Sequence, residues 1–228
     1  MRIAVFGTGT VGRALAAAFG RLGHEVVLGT RDPGETAIRT RPDPMGGPPF
    51  KEWHAEHGSI PLETFADAAD AADLVVNATN GASSLAALAA AGEARLAGKV
   101  LMDVSNPLDF SQGMPPVLNP VNTESLGERI QRAFPEARVV KTLNTMNAGL
   151  MVDPRRLAGG EHSVFVSGDD AEAKKVVTGL LEELGHRDII DLGDITTARG
   201  AEMVMPLWLR LFGTLGTPDF NFKVVRRD

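Results

Sequence analysis

A chain of 228 residues with a formal net charge of −6, 43% hydrophobic and 23% charged residues has room for one α/β domain and a modest extension. The negative balance argues against nucleic acid or an anionic membrane as the main partner, because both demand a positive face. The absence of cysteine excludes disulfides, thiolate metal sites and a cysteine nucleophile.

The opening "MRIAVFGTGTVG" runs straight into a structural motif, so no signal peptide is expected. Residues 2–6 are a short apolar run suited to a buried parallel strand. A helix is expected over 10–22, where Val11, Leu15, Phe19 and Leu22 repeat at helical spacing and Gly23 stops it. Strands are expected at 25–28, 73–78 and 99–104, with an alanine-rich helix at 84–95 between the last two. A helix at 124–134 and strands at 138–143 and 163–167 follow. "GDDAEAKKVVTGLLEELG" then reads as a helix that Asp169 or Asp170 caps and Gly185 ends.

This alternation predicts a Rossmann-type, doubly wound, mostly parallel sheet over residues 1–193 and a short extension over 194–228. Two segments break the rhythm. Residues 33–61 ("RPDPMGGPPF" among them) read as an irregular surface excursion, either a lid or a tolerated insertion. The extension offers one apolar helix and then "FNFKVV", whose Phe220, Phe222 and Val224 alternate as in a half-buried strand. Its Met203–Leu215 stripe, with Trp208 and Phe212, reads most simply as core; a homodimer contact that also walls the substrate site is the alternative. With Arg210 inside it, the stripe falls short of the roughly 18 apolar residues of a membrane span, so a cytoplasmic protein is expected.

"GTGTVG" at 7–12 matches the dinucleotide-binding pattern G-x-G-x-x-G. Gly7 permits the tight turn, Gly9 the approach of a pyrophosphate, and Gly12 close packing of helix on sheet. The helix start then offers unpaired N–H groups to phosphate. A glycine turn that binds nothing is the plain alternative.

At the end of the second strand, "GTRD" offers Thr30, Arg31 and Asp32 to the ribose. An arginine suits a 2′-phosphate and an aspartate a free hydroxyl. Asp32 precedes Pro33 and is placed to start a turn. Thr30 and Arg31, with Thr8 within reach, therefore favour NADP, against the alternative of a solvated arginine. One charged hydrogen bond, about 1.5–3 kcal/mol, corresponds to roughly ten- to a hundredfold preference.

With these motifs in view, the chain resembles the NADPH-dependent reductases of the deazaflavin coenzyme F-420, and also the cytoplasmic NADPH-binding domain of six-transmembrane ferric reductases. "MRIAVFGTGTVG", "LGHEVVLGTR", "VVKTLNT" and "VSGDDAEAKKVV" carry the likeness. The resemblance implies that Thr8, Gly9, Thr10 and Val11 contact the pyrophosphate, and Thr30 and Arg31 the 2′-phosphate. It places Asn77, Ala78, Thr79, Asn80, Ser105, Asn106, Pro107, Asn144, Asn147 and Ala148 around the nicotinamide. Where the family often has a further basic residue, this chain has Pro33, Gly34 and Glu35. Asn144 stands where the F-420 reductases tend to carry a histidine, and there the ferric-reductase domain is the better likeness.

These strand-end residues are polar and uncharged, with no evident acid–base pair, so no catalytic residue is assigned. Hydride exchange between NADPH and a flavin-like or deazaflavin small-molecule acceptor needs none, because the cofactors hold the reacting atoms. Two other readings stay open: an NADP-binding sensor without catalysis, and a small dehydrogenase of hydroxy or imino acids. The second would need Lys141 as an acid beside Asn144, but residues three apart face opposite sides of a strand. His54 and His57 lack a third ligand, so solvated loop histidines are expected and no metal site. No G-x-S-x-G marks a hydrolase nucleophile.

Overall fold

Why the first strand can be apolar at every position from Ile3 to Phe6 is visible in where its side chains go. Ile3 and Val5 enter one core, and Ala4 and Phe6 enter another on the opposite face of the sheet. A strand buried on both faces has no need of alternation. In a computed structural model that describes residues 1–43 and 47–227, ten strands form one eight-stranded sheet and one hairpin. The strands are β1 (Arg2–Phe6), β2 (Glu25–Thr30), β3 (Leu62–Thr64), β4 (Leu74–Asn77), β5 (Val100–Asp103), β6 (Leu108–Asp109), β7 (Val117–Leu118), β8 (Arg138–Thr142), β9 (Ser163–Ser167) and β10 (Asp188–Gly193).

The large sheet runs in the order β10-β9-β8-β5-β4-β1-β2-β3, and β6 and β7 make the separate antiparallel hairpin. Its strands from β3 to β8 pair in parallel. β9 pairs antiparallel with β8 and parallel with β10, so the last two strands run the other way. A mostly parallel, doubly wound α/β sheet is the architecture that the alternating motifs predict.

The helices are α1 (Thr10–Arg21), α2 (Pro33–Ala37), α3 (Phe50–Glu56), α4 (Phe65–Ala71), α5 (Gly81–Ala91), α6 (Glu93–Leu96), α7 (Leu126–Ala133), α8 (Ala148–Val152), α9 (Ala171–Leu184), α10 (Ala198–Met203) and α11 (Met205–Leu215). α1, α3, α8 and α9 cover one face of the sheet, and α4, α5 and α7 the other. α9 starts at Asp170, whose carboxylate accepts from the Ala173 amide, and stops at left-handed Gly185, as its sequence predicts.

Three expectations need correction. The helix expected at 84–95 is two helices that begin at Gly81 and break at Gly92, whose φ of +94° leaves the helical region. The excursion at 33–61 is not confined to the surface: Phe50, Trp53 and Ile60 are buried in the core of the α1 face. It contains α2 and α3 and delivers the chain to edge strand β3 and to α4, neither of which the apolar pattern signals. "FNFKVV" is not a strand. Both edges of β9 are taken by β8 and β10, so the tail only touches its start, accepting from the Ser163 amide at the Phe222 carbonyl. Phe220 and Phe222 instead join Leu118, Met205 and Trp208 in a small core beneath α11. No helix among the described residues is long and apolar enough to cross a membrane.

His186, just past α9, is buried with Nε2 3.0 Å from the Met151 carbonyl. Burial pushes its pKa down from 6.5 to about 4. The unfolded chain therefore takes up this proton first, and native stability falls as pH drops from 6.5 to 4, by up to about 3 kcal/mol. Melting temperatures measured across that window should fall in the native protein and stay flatter in His186→Gln.

Candidate functional site

The turn between β1 and α1 is closed by contacts that only glycine permits. A Cβ on Gly12 would lie 2.0 Å from the Gly7 carbonyl oxygen, and Gly7 itself has φ +115° against the Ala78 carbonyl. α1 begins at Gly9 with no side-chain cap and no acid in its first turn. Its N-terminal amides are the groups that bind phosphate in such turns, and Gly9, just before them, is exposed.

At the end of β2, Thr30 is buried and its hydroxyl lies 3.0 Å from that of Thr36. Arg31 follows it, exposed. Asp32 is the N-cap of α2 and accepts from the Glu35 amide at 2.9 Å, which is the turn-starting role its sequence position predicts. The excursion supplies what the sequence reading missed. Arg39 donates to both the carbonyl and the hydroxyl of Thr8 at 3.0 Å, with its guanidinium 5.3 Å from the Phe50 ring centre. Partial burial, then the nearby Arg13 charge, lower the Arg39 pKa below its usual value. Arg39 and Arg41 line a recess of about 280 Å³ together with Thr8, Gly9, Pro48 and Phe50. The signal was the pair of arginines in "IRTRP", eight and ten positions beyond Arg31.

Asp43, from the same segment, reaches back to α1. Its carboxylate accepts from the Thr10 hydroxyl at 2.5 Å and pairs with Arg13 at 2.7 Å. Both side chains are buried, and Arg13 also donates to the Pro48 carbonyl.

The carboxyl ends of β4, β5 and β8 bring most of the predicted nicotinamide-side residues together. Asn77 donates to Asp103 at 2.9 Å and accepts from the Thr79 hydroxyl at 2.6 Å. Ser105 donates to the same Asp103 oxygen at 2.7 Å. Asn106 and Asn144 exchange hydrogen bonds: the Asn106 amide donates to the Asn144 carbonyl at 2.8 Å, and the Asn144 amide to the Asn106 side chain at 3.0 Å. Pro107 accepts the Asn119 amide, and half-buried Ala78 follows β4. Asn80 and Asn147 are the N-caps of α5 and α8, and Ala148 is the first residue of α8. Asn147 lies further out and also donates to the Pro218 carbonyl of the tail. A hollow of about 520 Å³ opens beside Asn80 and Gly81, walled by Leu85, Phe110, Pro120 and Arg129.

Beneath this surface lies a second feature that strand reasoning passed over. Lys141, fully buried in β8, places its ammonium 2.8 Å from Asp103, 2.8 Å from Glu202 and 2.6 Å from the Ser105 carbonyl. Burial alone would lower its pKa, but the two carboxylates outweigh that and raise it above the usual lysine value. Glu202 in turn accepts the Leu126 and Gly127 amides at the start of α7. The ammonium is spent inside the protein, so Lys141 is not the exposed acid a dehydrogenase would need. His54 and His57 are also not solvated loop residues: they lie on and just after α3, stacked on Phe50 and Trp53 and hydrogen-bonded to the Ile60 and Trp53 carbonyls. Among the described residues, no group of three side chains is placed to hold a metal ion.

Comparison with known proteins supplies an independent line. The profile of the family described as NADP oxidoreductase, coenzyme F420-dependent, matches residues 2–107. A crystal structure from Arthrobacter sp. FB24, provisionally named an F420-dependent NADP reductase, is 67% identical. The match covers 98% of this chain and 99% of that one, with a TM-score of 0.95. The F420-dependent NADP reductase of Methanothermobacter marburgensis is 28% identical over 92% of each chain. The metalloreductase STEAP3 of Rattus norvegicus is 28% identical over 91% of this chain, which spans only 38% of that longer protein.

Replacing Lys141 with methionine strips the shared counter-ion from two dry carboxylates. Removing one partner of a buried ion pair costs about 3–5 kcal/mol, and urea unfolding of Lys141→Met should show a loss of that order.

Proposed function

This chain belongs to the coenzyme F420-dependent NADP oxidoreductase family, and on that premise we propose that it exchanges hydride between NADPH and a flavin-like or deazaflavin acceptor, coenzyme F-420 first among them. The observation that supports the NADP-specific part is the recess in which Arg39 and Arg41 stand beside a glycine turn whose helix start has no side-chain cap, with Arg31 exposed at the end of β2. Surface guanidinium groups add little to stability, whereas a 2′-phosphate gains planar, charge-assisted hydrogen bonds from them.

In this reading Thr8, Gly9, Thr10, Val11 and the glycines around them hold the pyrophosphate. Thr30 and Arg31 hold the 2′-phosphate, with Arg39 and Arg41 taking the place of the basic residue that Pro33–Glu35 lack. The nicotinamide, when bound, would supply the hydride, and the single proton that completes the reduced acceptor would come from solvent. The strand ends at 77–80, 105–107 and 144–148 contain no carboxylate, imidazole or amine, so they orient rings and move no proton. Leu85, Phe110 and Pro120 give a planar acceptor apolar walls next to Asn80. The reading goes with a cytoplasmic protein acting on a small molecule.

Arg31→Ala and Arg39→Ala should each weaken NADPH binding by roughly ten- to a hundredfold while changing NADH by less than about threefold. Calorimetry checks this, and equal losses for both dinucleotides would remove the 2′-phosphate assignment. With F-420, FMN, FAD and ferric chelates offered in turn, NADPH should be oxidised fastest by F-420. Tight NADPH binding without oxidation by F-420 or either flavin rules out the proposed acceptor class.

We also propose a homodimer built on α11, where Leu207, Phe212 and Leu215 are exposed. Sedimentation should show a dimer that Leu207→Glu converts to monomer, and a native monomer at micromolar concentration would refute it.

A further inference from the structure

We propose that the Asp43 carboxylate holds the place of a cofactor phosphate, and that Arg13 is a pyrophosphate ligand which the dinucleotide gains by displacing it. The inference rests on the NADP reading above and concerns its phosphate site.

α1 is a twelve-residue helix whose N-terminus has no anion of its own, either as cap or in the first turn. The anion that sits there comes from a distant segment. One Asp43 oxygen accepts from the Thr10 hydroxyl, on the first residue of the helix, at 2.5 Å. The other takes the Arg13 guanidinium at 2.7 Å and lies 3.9 Å from the point where a Cβ on Gly9 would stand. The carboxylate thus occupies the surface that the middle glycine leaves bare, which is where such turns receive a pyrophosphate.

Arg13 supplies the independent observation. It sits in the first turn, and helical side chains lean back toward the N-terminus. It is 5% exposed, and its Nε donor is buried with no hydrogen-bond partner. A buried donor left unsatisfied is costly and uncommon. The carboxylate occupies Nη2 and the Pro48 carbonyl occupies Nη1. A phosphate group has more acceptor oxygens than a carboxylate and can serve both Nη2 and Nε. Exchanging Asp43 for a pyrophosphate therefore keeps the pairing of Arg13 and Thr10 and completes the guanidinium. No bond is made or broken; one anion replaces another.

The exchange taxes every ligand that carries the diphosphate, with or without a 2′-phosphate. Asp43→Asn keeps size and an acceptor for Thr10 while removing the competing charge. It should bind ADP, NADPH and NADH more tightly by about tenfold each, leaving the preference for NADPH over NADH unchanged. Arg13→Lys, which keeps a cation for Asp43 but loses the fork, should weaken all three.

Hydrogen exchange in the native protein reads the same event without a variant. The amides of Arg39, Arg41 and Asp43 should exchange faster when ADP is bound, because their segment has been released. Unchanged or weaker binding by Asp43→Asn, with slower or unaltered exchange at 39–43 on ADP binding, overturns the proposal while leaving the NADP reading intact. A native protein that binds neither NADPH nor NADH ends both.

Discussion

One ammonium group ties two neighbouring strands of the sheet to a helix from the far end of the chain. Lys141 comes from β8, Asp103 from the neighbouring β5, and Glu202 from α10. Two carboxylates against one ammonium leave a net negative charge in a place without solvent. It is tolerable because Glu202 also accepts two backbone N–H groups from the start of α7, where the helix dipole is positive. Take away any one member and the others are left charged and dry.

What depends on this cluster is the surface above it. Asp103 fixes the Asn77 amide and the Ser105 hydroxyl, and Lys141 fixes the Ser105 carbonyl. Glu202 draws α10 against the sheet, so that the Ala201 carbonyl accepts from Asn144 at 3.1 Å. The charged groups lie below the strand ends and the uncharged ones above. At the other end of the proposed cofactor path the arrangement is reversed. Arg31 and Arg41 are exposed there, where their charge adds little to the fold.

The central strands and their helices were legible because local sequence and tertiary structure agree on them. Val100–Asp103 and Leu74–Asn77 are buried on both faces and read as apolar runs, while Asp170 and Gly185 mark their helix by cap chemistry. The failures share a different cause. "FNFKVV" alternates correctly for a strand, but the strand it meets, β9, already has both sides paired. Phe50, Trp53 and Ile60 sit in proline- and glycine-rich sequence whose composition speaks for a surface loop, and only the groove beside α1 makes them core. Lys141 meets Asp103 across 38 residues, and no local pattern announces such a pair. The arginines at 39 and 41 were visible as charges, but their convergence on Thr8 depends on a path that the sequence does not display.

The candidate site itself was legible in residue type more than in role. The asparagines at the strand ends are in place, yet Asn77 and Asn144 direct their amides inward, and Asn80 and Asn147 cap helices. What remains for a planar ring is backbone, hydroxyl groups and apolar walls. The strand ends at 77–80, 105–107 and 144–148 have little means of choosing an acceptor by proton affinity, because they hold no group that titrates; the charged groups Asp109 and Arg129 stand on the wall of the neighbouring hollow. In the proposed reading the strand ends would choose by shape, and shape is set here by how firmly Ser105, Asn106 and Asn144 are held. The dry ion cluster therefore bears on the proposed reaction through rigidity: it keeps the uncharged strand ends in one arrangement, and the hydride transfer between two rings proposed for them is sensitive to alignment.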